Sequence, residues 1–160
     1  MSSQQHVVST SLDFVLVHEL HTGKRVRSLR NTVRCGGLFE DDDGHLLMTD
    51  IDQRCVYRVR PGGRKELVVG FPGSLPEEGR LVAPHGLCRL RSGELLVSDG
   101  VVFREHGQRV NVYSRQGEYI RGWGGRGYDP GEFYAPRTIR QCPLTEEIFV
   151  LDGCNHRVQV

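Results

Sequence analysis

PGEFYAPRTIRQCPLTEEIFVLDGCNHRVQV, Pro130 to Val160, decides how this chain folds. A glycine turn and an aromatic lead through Ala135-Pro136 into an apolar run. A polar turn follows, then a second apolar run closing on Asp152, a short loop, and an alternating run that opens on Arg157. The same order stands upstream in GLCRLRSGELLVSDGVVFREHGQRVNVYSRQG, Gly86 to Gly117, and in GLFEDDDGHLLMTDIDQRCVYRVRPGG, Gly37 to Gly63. The closing aspartates Asp50, Asp99 and Asp152 lie 49 and 53 residues apart, a period that indicates a solenoid or propeller.

The linkers repeat too. Gly79 to Pro84 and Gly131 to Pro136 both read G-x-x-x-A-P. A weaker copy begins near His6, with Val7 to Thr10 in the place of Leu47 to Asp50. Within the second unit the pattern predicts strands over Gly86–Leu90, Glu94–Ser98, Arg109–Ser114 and Tyr119–Trp123. Ser92-Gly93 and Gln116-Gly117 supply the hairpin turns. Val110 and Val112 alternate with Asn111 and Tyr113, which is the period of a strand. No segment sustains a 3.6-residue apolar period, so helices should be few. Four-stranded antiparallel units repeated radially are propeller blades, and the expected fold class is all-β. The expected organisation is a single domain, residues 1–160, with a partial blade over 6–30, blades over 35–70 and 84–125, and a truncated blade over 136–160.

Pro130 to Val160 resembles an NHL repeat: glycine, aromatic, proline, an apolar strand, a strand ending in Asp, then N-x-R-[VI]-x-V. Asp152, Asn155, His156, Arg157 and Val158 carry the resemblance. Asp50, Gln53, Arg54 and Val56 form a degenerate version, and Asp99, Gln108, Arg109 and Val110 another with a longer loop, Val101–Gly107. The likeness implies a β-propeller of about six blades, of which this chain matches half to two-thirds. The first unit lacks its innermost strand and the last stops inside its third. A fragment, a closed four-bladed ring and two chains completing each other all stay open, and open blade edges imply self-association.

Composition narrows the function. A net charge of +1 over 160 residues, with 38% hydrophobic and 26% charged residues, is ordinary for a globular domain and does not fit a general polyanion binder. Of the 21 basic residues only Lys24 and Lys65 are lysine. Five cysteines without a CxxC pair, and a polar N-terminus, fit a reducing, cytoplasmic setting. No apolar run is long enough to span a membrane, so no membrane partner is expected.

Three groups of residues could carry chemistry. The Asp–Arg elements (Asp50 with Arg54, Asp99 with Arg109, Asp152 with Asn155 and Arg157) read as ion pairs pinning the loop between second and third strands, because they recur in every unit. Arg126 and Tyr128 mix cation and aromatic as single-stranded RNA-contacting loops do. His85, after the proline that opens its blade, matches the position at which the related peptidyl-hydroxyglycine amidating lyase places axial histidines around a metal. Its equivalents here are Gly36 and Arg137, so one of three zinc ligands is present. Asp41-Asp42-Asp43-Gly44 reads as a solvated turn rather than a calcium loop. What the family resemblance implies is a non-catalytic scaffold that binds a protein or peptide, with His85, Arg137, Arg126 and Tyr128 as the candidate channel-mouth and loop residues, and no metal or cofactor is expected. Single-stranded RNA binding, and a metal-dependent lyase or lactonase, are the alternatives.

Overall fold

The computed structural model describes residues 6–10, 14–30, 34–40, 44–60, 63–70 and 79–160. Asp41 to Asp43 lie outside them. Among the described residues fourteen strands form four antiparallel sheets and no α-helix occurs. Blade 1 holds β1 (His6–Thr10), β2 (Phe14–Glu19) and β3 (Arg25–Arg30). Blade 2 holds β4 (Cys35–Glu40), β5 (Leu46–Asp50), β6 (Cys55–Val59) and β7 (Lys65–Val69). Blade 3 holds β8 (Pro84–Arg89), β9 (Leu95–Asp99), β10 (Arg109–Tyr113) and β11 (Tyr119–Gly124). Blade 4 holds β12 (Pro136–Gln141), β13 (Ile148–Asp152) and β14 (Arg157–Gln159), with a 3-10 turn at Gly153–Asn155. Strand order within every sheet follows the chain, the meander of a propeller blade.

Register makes the repeat quantitative. Asp50, Asp99 and Asp152 face Cys35, Pro84 and Pro136 on the preceding strand, and Cys55, Arg109 and Arg157 on the following one. Each first strand then shifts register at the same place, between Cys35 and Leu38, Pro84 and Leu87, and Pro136 and Ile139. Gly36-Gly37, His85-Gly86 and Arg137-Thr138 thus occupy equivalent bulges. Arg54, Gln108 and His156, just before the third strands of blades 2, 3 and 4, share a left-handed backbone with φ of 55°, 55° and 53°.

The blades pack face to face. Val15 of blade 1 meets Leu46, Met48 and Val59 of blade 2. Leu47, Val56 and Val69 of blade 2 meet Leu87, Leu95, Val97 and Tyr113 of blade 3. Leu96, Val110 and Val112 on the opposite side of blade 3 meet Ile139 and Val150 of blade 4. Each buried aliphatic side chain contributes about 1.5–3 kcal/mol relative to exposure. Near the axis the first strands touch through their backbones. A Cβ added at Gly37 would fall 2.1 Å from the His85 carbonyl oxygen, and one at Gly86 2.1 Å from that of Arg137. Glycine is required there because no side chain fits between the two strands.

One hydroxyl in each of blades 2 and 3 latches this contact. Thr49 Oγ1 accepts from Gly37 N at 2.7 Å and donates to the His85 carbonyl across the blade boundary at 2.9 Å. Ser98, its equivalent in blade 3, accepts from Gly86 N at 2.8 Å and donates to the Arg137 carbonyl. His85 and Arg137 are therefore held through their own backbone oxygens by the blade preceding each.

Candidate functional site

The first strands open toward a cleft of about 490 Å³ that includes Arg34, Asp52, Arg54, His85, Arg104 and Arg137 in its wall. Position within each bulge sets what that blade offers. A bulge re-aims a side chain out of the regular alternation, and it does so with His85 after Pro84 and Arg137 after Pro136. At Gly36 nothing projects, and a Cβ there would lie 2.6 Å from the Pro84 carbonyl oxygen. Blade 2 therefore contributes backbone alone at its bulge.

His85 is 8% exposed. Arg137 Nη1 lies 3.1 Å from its Nδ1 and 3.0 Å from its Nε2, and only an unprotonated ring nitrogen can accept from a guanidinium. Burial, and then the charges of Arg137 and Arg34, hold its pKa down at about 4. The ring is neutral throughout the physiological range. Around it stand four arginines and one carboxylate, Asp52, whose Oδ1 lies 3.7 Å from Arg34 Nη1. The mouth is electropositive, with a neutral hydrogen-bonding ring at its floor.

A metal centre is not assembled from these residues. Three first strands supply one imidazole, both of whose nitrogens lie against a guanidinium, and no cluster of three histidine, cysteine or acidic side chains occurs among the described residues.

The other expected site residues separate. Arg126 stacks over Tyr134, 5.2 Å from the ring centroid, with Glu105 at 3.9 Å, and Tyr128 stands 75% exposed, edge-on to Tyr134. Both belong to the linker into blade 4, outside the wall of the mouth.

The aspartates diverge as well. The expected ion pair forms at Asp152, fully buried, where Arg157 Nε donates at 3.0 Å and Asn155 Nδ2 at 2.8 Å. Asp50 instead accepts from the turn amides of Asp52 and Gln53, and Arg54 turns into the mouth. Asp99 accepts from Val82 N and Ala83 N, while Arg109 donates to the Arg80 carbonyl at 3.2 Å. The physical reason is competition for the carboxylate. At Asp99 linker amides take both oxygens, whereas at Asp152 the linker supplies one amide, Tyr134 N to Oδ1 at 2.7 Å, and Oδ2 is left to Arg157, Asn155 and Gln159.

Sequence reasoning passed over Arg34, Asp52, Phe103 and Arg104. The signal for Phe103 and Arg104 was present in the loop Val101–Gly107, which is longer than its counterparts in the flanking units, whereas Arg34 and Asp52 carried none.

This combination defines a class: consecutive β-propeller blades with one reactive-type side chain, His85, at the axial mouth. No family model matches the chain. It is 29% identical over 133 residues to the peptidyl-glycine alpha-amidating monooxygenase of Mus musculus, covering 77% of this chain and 13% of that protein. Among solved structures it resembles streptogramin B lyase, with a TM-score of 0.61, 12% identity, and coverage of 99% of this chain and 52% of the other. It also resembles a protein described as a putative gluconolactonase, with a TM-score of 0.63, 17% identity, and coverage of 97% and 57%. The chain thus spans about an eighth of the curated relative and about half of these propellers. The structural matches establish the propeller fold. The expectation of a chain that is not an enzyme is corrected here, because the curated relative and both solved propellers bear enzyme names.

Proposed function

We propose that the chain is part of an enzymatic propeller of NHL type, of the amidating-lyase or lactonase kind, acting on an anionic substrate at the mouth around His85. The observation that carries this reading is the buried, neutral imidazole under Arg137 in an arginine-rich cleft. Four guanidiniums against one carboxylate attract and orient an anion, and arginine binds carboxylates bidentately. The neutral ring is a proton acceptor. A pKa of about 4, set first by burial and then by the charges of Arg137 and Arg34, makes it a weak one. An anion bound among the arginines cancels part of their field and raises the ring toward the range in which a general base works near neutral pH. Substrate binding itself would then switch on the base, the proton going to the single unprotonated ring nitrogen as Arg137 turns from it to the bound anion.

The test is turnover by the purified chain of a peptide ending in α-hydroxyglycine and of an aldonolactone, beside the His85→Gln variant. Turnover of either, lost in the variant, is the expected result. No turnover, or equal turnover in both proteins, overturns the reading.

A further inference from the structure

Blade 3 places nine residues between Asp99 and Arg109, where blades 2 and 4 place four between Asp50 and Cys55 and between Asp152 and Arg157. The additional residues carry Phe103 and Arg104 to the wall of the mouth. They are pinned by Gln108, a fully buried side chain at the recurring left-handed position. Its Nε2 donates to the carbonyls of Val101, at 2.7 Å, and Arg104, at 3.0 Å, and its Oε1 accepts from Ala135 N at 2.7 Å. One amide therefore ties both shoulders of the loop to the segment that delivers Arg137 two residues later. The Tyr134 hydroxyl adds a bond to the Val102 carbonyl at 3.2 Å.

Between these anchors Phe103 stands 95% exposed. An exposed apolar residue is unremarkable alone. This one sits on a segment absent from the sister blades, is fixed on both sides by hydrogen bonds, and borders the cleft that holds His85. We propose, resting on the anionic-substrate reading above, that the Val101–Gly107 loop selects the substrate: Phe103 forms an apolar wall for an aromatic or aliphatic group next to the anion, and Gln108 is the positioning residue that holds that wall. An aromatic ring offers a large contact area at low entropic cost, and a pinned backbone spares the ordering cost on binding.

Two probes of equal charge separate the wall from the anion site: propionate and 3-phenylpropionate, titrated calorimetrically into the whole chain. The unmodified chain binds 3-phenylpropionate about tenfold more tightly than propionate. Phe103→Ala, at an exposed position that leaves the fold intact, brings the two within about twofold and leaves propionate unchanged. Gln108→Glu, which keeps the size and loses the donors, also erases the preference while retaining propionate. A merely structural role for Gln108 would lower both affinities together. Equal binding of the two probes by the unmodified chain, or a preference that survives Phe103→Ala, overturns this inference alone. Failure of both probes to bind overturns the anion site and the inference with it.

Discussion

Acidification should weaken the fold through His85, and the size of the effect follows from its surroundings. Unfolded, the imidazole titrates near its ordinary 6.5; folded, burial together with Arg137 and Arg34 holds it at about 4. Its folded pKa is depressed, so the stability it contributes is complete above pH 6.5. That stability is lost as the pH falls through 4, where the unfolded chain takes up a proton that the folded chain refuses. A gap of about 2.5 pH units at about 1.36 kcal/mol each comes to roughly 3 kcal/mol. Asp99 works in the opposite direction. Burial, only partly offset by the amides of Ala83 and Val82, raises its carboxyl from 3.8 to about 6. The stability from its protonated form is complete below pH 3.8 and lost as the pH rises through 6. The two nearly cancel between pH 4 and 6.5, and the unmodified chain should look flat there.

His85→Gln removes one side of this balance. Urea unfolding at half-unit steps from pH 4 to 7.5 should show the variant growing more stable as the pH falls below 6. The difference between the two proteins should change by about 3 kcal/mol across the range. Arginines do not titrate there, so they drop out of the comparison. Parallel curves, separated by a constant amount within about 0.5 kcal/mol, would refute the buried neutral imidazole and the role built on it.

Two further outcomes test the scaffold. Arg157→Ala leaves Asp152 buried with donors only from Tyr134, Asn155 and Gln159, and should cost about 3 kcal/mol, the lower end for breaking a buried pair. A double-mutant cycle with Asp152→Asn that finds no coupling would remove the pair as a stabilising element. Phe149, Leu151 and Val158 are 36%, 41% and 56% exposed, whereas their equivalents Leu96, Ser98 and Val110 are at most 1% exposed beneath the following blade. The isolated chain should therefore self-associate, with a mass by light scattering that rises with concentration and falls back on Leu151→Glu; a concentration-independent 18.1 kDa species contradicts this.

The blades were legible because a strand period of two, a turn signal and a closing aspartate recur in phase. The four strands read for the second unit differ from β8 to β11 by one or two residues at their ends. The partners of the aspartates were not legible. Asp50, Asp99 and Asp152 look alike along the chain, yet Asp50 accepts from two turn amides, Asp99 from two linker amides, and Asp152 from one linker amide together with Asn155, Arg157 and Gln159. The hydroxyl of Thr49 and Ser98 also escaped notice. Its acceptor lies one blade later, 36 or 39 residues on, and only the touching of first strands brings it near.

A repeat conceals function because attention goes to what recurs. In this chain the recurring features, the closing aspartates, the left-handed residue before the third strands of blades 2, 3 and 4 and the latch hydroxyls of blades 2 and 3, hold blades and loops in place. The chemistry sits where equivalent positions disagree. Gly36, His85 and Arg137 share one bulge in three blades and present nothing, an imidazole and a guanidinium. Arg54, Gln108 and His156 share one backbone conformation, yet one enters the mouth and one anchors a loop. Identical scaffolding fixes where each side chain can point, so a single substitution at such a position changes the chemistry of the mouth without a change of fold.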